Sequence, residues 1–215
     1  MSARASSDGQ LIHALGVNFY YDFISPYSYL AATQMPVLAR EHAVPVRWIP
    51  VNLPKLIKLS ENVPPGTIPK KAIYLVRDLK RWAQHLSVPF KLIKPGAFDS
   101  RPALWAATAL TEDDGQAFAG AVFDALWSGQ ADPARGDWLA SIVGMRGLPG
   151  EWLSFDESAA RQALEQNTRE ALDAGAFGAP SFVLHGAAGR PRLFWGVDRL
   201  DFLARAIEQA REKSG

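Results

Sequence analysis

The 215-residue sequence predicts an α/β fold in which a β-α-β unit at the start and a β-β-α unit at the end share one central sheet, separated by a large all-helical insertion. Three observations predict it. An aromatic and β-branched run at residues 16–23 leads straight into a Ser-Pro helix start, two short β-rich runs return between residues 181 and 195, and the apolar spacing between them is helical.

Residues 16–23 read GVNFYYDF, a strand, and Ser25-Pro26 follows as an N-cap and first-turn proline. The helix at 26–41 brings Tyr29, Leu30, Thr33, Val37 and Leu38 to neighbouring positions at helical spacing, and VPVRWIPV at 44–51 is the next strand. Helical segments follow at about 69–86, 101–111, 115–128, 137–145 and 156–174. Strands return at 181–184 and 192–195 across a Gly- and Ala-rich turn, and an amphipathic helix at about 198–212 closes the chain. The division expected is a flexible tail at 1–15, a sheet domain from 16–52 and 176–215, and a helical insertion domain at 53–175. That order of elements is the thioredoxin arrangement with a helical insert.

Composition excludes several chemistries. Lys and Arg total 23 against 22 Asp and Glu, and no basic run tracks a phosphate backbone, so nucleic acid is not an expected partner. No run approaches the roughly twenty apolar residues that span a bilayer, and residues 1–15 lack the apolar core of a secretory signal, so a cytoplasmic protein without a membrane role is expected. There is no cysteine, which removes disulfides, Cys-based zinc sites and any redox cycle on the protein's own thiols. His13, His42, His85 and His185 form no metal-ligand pattern, and no Gly-rich phosphate loop is present. If thiol chemistry occurs, the sulfur arrives on a ligand.

The candidate site is Ser25-Pro26-Tyr27-Ser28, in the slot where thioredoxin-like proteins carry Cys-x-x-Cys at a helix start. A helix N-terminus lowers the pKa of a nearby thiol, and a serine hydroxyl can donate a hydrogen bond to the resulting thiolate. Serine before proline is also an ordinary helix cap. Farther on, AFGAPSFV at 176–183 sets Pro180 before a strand, where a cis bond would turn the backbone of Ala179 toward that helix start; a plain helix-to-strand loop is the other reading. Tyr74, Trp82, Trp105 and Trp127 are candidates to line an aromatic pocket or to sit in the core.

Four segments in this order, YDFISPYSYLA at 21–31, ENVPPGTIPKKAIYLVRDLKRWAQHLSVPF at 61–90, AFGAPSFV at 176–183 and FWGVDRLDFL at 194–203, resemble the glutathione-dependent 2-hydroxychromene-2-carboxylate isomerases and the kappa-class glutathione transferases, which share the fold of the bacterial disulfide-forming oxidoreductases. The resemblance covers about residues 17–206. It implies glutathione as cofactor, with Ser25 hydrogen-bonded to its sulfur, Asn62 and Lys71 binding the tripeptide or its surroundings, Ala179 before Pro180 pairing with the cysteinyl backbone, and Asp198 and Arg199 handling the γ-glutamyl end. Such a ligand, with one ammonium and two carboxylates, wants groups of both signs. Val197 departs from the pattern, since the family usually offers a polar residue there, so that contact is expected to be missing or made by backbone alone.

The activity implied is an isomerase for 2-hydroxychromene-2-carboxylate-type aromatic catabolites, working by reversible thiolate addition to a conjugated enone. A kappa-class-like transferase would use the same thiolate, and the FWGVDR segment, at Trp195, is closer to the isomerases. A non-catalytic thioredoxin-like module that docks peptides beside Pro180 is the third reading. A disulfide oxidoreductase is excluded by the missing cysteines. The resemblance also implies a homodimer.

Overall fold

A computed structural model describes residues 15–186 and 190–212. The tail expected at 1–15 lies, apart from Leu15, outside the described residues.

Four strands, β1 (Gly16–Tyr21), β2 (Val46–Pro50), β3 (Ser181–His185) and β4 (Arg192–Trp195), form one mixed sheet in the order β2-β1-β3-β4. β1 runs parallel to β2 and antiparallel to β3, and β3 antiparallel to β4. Side chains on a strand alternate between faces. Accordingly Val17, Phe19 and Tyr21 join the larger core, while Tyr20 joins a smaller one on the opposite face with Ile49, Val51, Leu56, Ala171 and Val183. Phe19 and Phe182, directly opposite in register, stack with ring centroids 5.3 Å apart.

The helix expected at 26–41 is two helices, α1 (Pro26–Ala32) and α2 (Met35–Glu41). Pro36 lies in the first turn of α2 and has no N–H to continue the earlier ladder, and Thr33 Oγ1 instead donates to the Leu30 carbonyl at 2.7 Å. The strand β2 is followed by a helix absent from the sequence expectation, α3 (Leu53–Leu59), capped by Asn52, whose Oδ1 accepts from Lys55 N at 3.0 Å.

Between β2 and β3 stand also α4 (Pro69–His85), α5 (Arg101–Ala109), α6 (Glu112–Trp127), α7 (Trp138–Met145) and α8 (Glu157–Asp173). α6 starts three residues before the expected position because Thr111 caps it and Glu112, Asp113 and Asp114 complement the positive end of its dipole. A turn of 3-10 helix at Val197–Arg199 precedes α9 (Leu200–Glu212). Phe123 of α6 packs on Phe23 and Tyr21 at 4.8 and 5.5 Å, which fixes the inserted helices against the end of β1 where the candidate site begins. No helix among the described residues is long and apolar enough to cross a membrane.

Candidate active site

Ser25 is the N-cap of α1, and its Oγ accepts from Ser28 N at 3.1 Å. The same hydroxyl donates to the Ala179 carbonyl at 3.0 Å, across 154 positions of sequence. The bond between Ala179 and Pro180 is cis, and Pro180 O accepts from Gly196 N at 3.0 Å. Thus the cap and the pre-proline loop, whose Ala179 backbone was expected to turn toward that helix start, meet at one oxygen. Ser25 is buried, with 5% of its surface exposed. Ser28, in the slot of the second cysteine, is fully buried, and its Oγ has no hydrogen-bond partner among the described residues.

Asn62 joins the same loop from the other side, since its Nδ2 donates to Phe177 O at 3.1 Å and its Oδ1 accepts from Val63 N at 2.8 Å. Phe177 in turn packs on Trp195 at 4.8 Å. The absence of a side chain at Gly178 lets Trp195 approach, because a Cβ there would fall 2.7 Å from Trp195 Nε1 and force the indole to shift. Asp198 pairs with its neighbour Arg199 at 2.6 Å, and its charge reaches Tyr27, whose phenol is pushed up chiefly by burial and then by its hydrogen bond to Asp78. Lys71 stands exposed in the first turn of α4 and makes no ion pair among the described residues. The structure therefore brings Ser25 and Ala179 into direct contact, with Pro180 next in the chain, links Asn62 to the same loop at Phe177, and leaves Lys71, Asp198 and Arg199 as charges not bonded to Ser25.

Beside the helix start lies a cavity of about 740 Å³. Ile24 and Pro26 border it, α4 supplies Leu75, Val76 and Leu79, and the segment before α5 supplies Leu92, Ile93 and Phe98. Its polar wall is Asp22, Asn52, Lys94, Asp99, Ser100 and Arg101. Of the four aromatic candidates only Trp127 borders this cavity, and its Nε1 donates to Phe23 O at 3.0 Å. Trp105 instead carries the Arg161 guanidinium 4.2 Å above its ring, Trp82 packs edge-on against His85, and Tyr74 is exposed.

Asp22 is the residue sequence reasoning missed. It is fully buried, its Oδ1 accepts from Ile24 N at 3.1 Å, its Oδ2 accepts from Leu53 N at 2.9 Å, and its backbone carbonyl accepts from Ser25 N at 3.0 Å. Burial pushes its carboxyl up to about 6, against the lowering effect of the bonds from Leu53, the Ser100 hydroxyl and Ile24. One acid thus joins the end of β1 to the starts of α3 and α5. Its signal in the sequence was a lone carboxylate inside the apolar run at 19–24. Nearby, the hydrogen bonds from Arg101 hold the Asp99 carboxyl below its ordinary value.

The model of the DSBA-like thioredoxin domain matches residues 16–208. The chain belongs to that family. It is 33% identical over 195 residues to a 2-hydroxychromene-2-carboxylate isomerase of Sphingobium xenophagum, an alignment covering 87% of this chain and 95% of the relative. It is 28% identical to glutathione S-transferase kappa 1 of Caenorhabditis elegans, covering 90% and 91% of the two chains. Among solved structures it superimposes on a 2-hydroxychromene-2-carboxylate isomerase with a TM-score of 0.76 and 27% identity, over 92% of this chain and 97% of the other. This family member differs from a disulfide-forming enzyme at the decisive atoms, with Ser25 and Ser28 where sulfur would be needed.

Proposed function

We propose that this chain is a glutathione-dependent isomerase acting on 2-hydroxychromene-2-carboxylate-type aromatic catabolites. The observation that carries the reading is the Ser25 hydroxyl. Its oxygen is held by Ser28 N–H, and its proton points at Ala179 O, beside an apolar cavity large enough for an aromatic ligand. Rotation about the Cβ–Oγ bond moves that proton from the carbonyl to a ligand thiolate without disturbing the cap, and a bond from O–H to a charged sulfur is stronger than one between neutral groups. Because α1 has only seven residues, its dipole is shorter than that of the helix expected from sequence, and the direct hydrogen bond carries the larger share of thiolate stabilisation.

Glutathione supplies the nucleophilic sulfur when bound. That sulfur would supply reversible nucleophilic addition to a conjugated enone, the chemistry by which a double bond isomerises, and Ser25 would hold it at the start of α1 by a hydrogen bond from its hydroxyl. Asn62, through Phe177, and the Ala179 carbonyl shape the strip along which the tripeptide backbone lies, with Lys71, Asp198 and Arg199 as its charge partners. The same reading takes residues 16–52 and 176–215 as the glutathione-holding domain, 53–175 as the substrate-holding insertion domain, and the assembly as a cytoplasmic homodimer. The alternative, a kappa-class-like transferase, differs only in releasing the adduct; the higher identity to the isomerases favours isomerisation.

Glutathione titrated into the wild type and into Ser25→Ala, followed by thiolate absorbance and binding heat, tests the reading. The wild type is expected to give a thiolate signal near neutral pH, and the variant to keep most of the heat while losing that signal and about 10²–10³ of the isomerisation rate. Full thiolate formation by the variant would remove Ser25 from the mechanism, and neither heat nor thiolate in the wild type would leave only the peptide-docking module.

A further inference from the structure

Resting on the enzymatic reading of this cavity, we propose that Arg101 is the residue that recognises the carboxylate of an aromatic, α,β-unsaturated acid bound there. Arg101 and Asn52 border two spaces at once, the large apolar cavity and a smaller pocket of about 190 Å³ that also presents Lys55 and Arg161. A ligand whose ring fills the space between α4, Leu92, Ile93 and Trp127 therefore meets a cationic wall only at Arg101 and the pocket behind it, and at Lys94, which has no ion pair among the described residues.

Three features make Arg101 the recognising group. It occupies the first position of α5, so its backbone is fixed, whereas Lys94 lies in an irregular segment. Its guanidinium is already held in a plane by Asp99, with Nε and Nη2 donating at 2.6–2.9 Å, while Nη1 makes no hydrogen bond among the described residues. The Asp99 pair is exposed on both sides, and such a pair contributes little to stability, so its donors can be shared with or surrendered to a ligand carboxylate at small cost. Lys55 and Arg161 border the smaller pocket but not the apolar cavity, so neither meets the ring-bound ligand directly. A planar fork also matches a carboxylate in two parallel bonds, which an ammonium does not.

Binding of trans-cinnamate and of the uncharged cinnamamide, read by tryptophan fluorescence and calorimetry without glutathione, tests this independently of turnover. Wild type is expected to prefer cinnamate; Arg101→Gln should weaken cinnamate about 10- to 100-fold while leaving cinnamamide within about twofold, and Arg101→Lys should recover only part of the loss. Equal binding of cinnamate by wild type and Arg101→Gln, an equal loss of both ligands, or no binding of either by wild type would overturn the assignment. Cinnamate binding through Arg101 in a protein that forms no glutathione thiolate would refute the isomerase reading alone.

Discussion

Replacing Asp22 by asparagine isolates the one fully buried carboxyl in the candidate site. An acid whose pKa rises on folding, here from an ordinary 3.8 to about 6, holds its proton more tightly in the native protein than in the unfolded chain. Its contribution to stability is therefore fully present below about pH 3.8 and is lost as the pH rises through about 6. At about 1.4 kcal/mol for each tenfold change in the ionisation equilibrium, that displacement amounts to about 3 kcal/mol. The substituted amide would keep one backbone acceptor and turn an NH₂ toward the other N–H, a constant cost of about 1–3 kcal/mol that does not vary with pH. Carboxylates held low by exposed partners, such as Asp99 and Glu165, lose stability in the opposite direction on acidification, but they are common to both proteins and cancel in the difference. Urea denaturation of wild type and Asp22→Asn at about pH 4 and about pH 7.5 should show the wild type losing about 2 kcal/mol relative to the variant over that interval, since at about pH 4 the unfolded carboxyl is already partly ionised. A difference that stays constant with pH, or moves in favour of the wild type as pH rises, would refute the account of a carboxyl raised by burial.

Two further substitutions test the packing around the site. Ser28→Ala removes a buried hydroxyl that has no partner among the described residues and improves helix propensity, so stability measured by denaturation should rise by about 0.5–1.5 kcal/mol with glutathione binding unchanged. Trp127→Phe deletes the donor to Phe23 O at 3.0 Å and leaves that carbonyl unpaired beside the cavity, so thermal unfolding should show a loss of about 1–3 kcal/mol and weaker binding of aromatic ligands.

Much of the framework was legible in the chain. The aromatic and β-branched run at 16–23, the Ser25-Pro26 cap and the breaks around 176–195 marked strands and helix starts, because strand propensity and capping chemistry are local properties. The division at Pro36 and the short helix α3 were also written locally, in a proline and in an Asn52 cap followed by Pro54, but seven-residue helices carry too few apolar positions for periodicity to show. Ser25 and Ala179 were legible as candidates on separate segments, whereas the hydrogen bond between them was not.

What the sequence alone determined is the chemistry the chain can supply: no thiol of its own, a hydroxyl at a helix start, and enough apolar and aromatic residues for one large core. Only the tertiary structure decided which polar groups leave water together. Asp22, Asn52, Ser100 and Arg101 come from the end of β1 and the starts of α3 and α5, and no spacing in the sequence distinguishes them from ordinary caps and surface charges. Their convergence depends on how α4, α5 and α6 pack over the end of the sheet, a long-range consequence of burying Phe23, Phe118 and Phe123 rather than of any local preference.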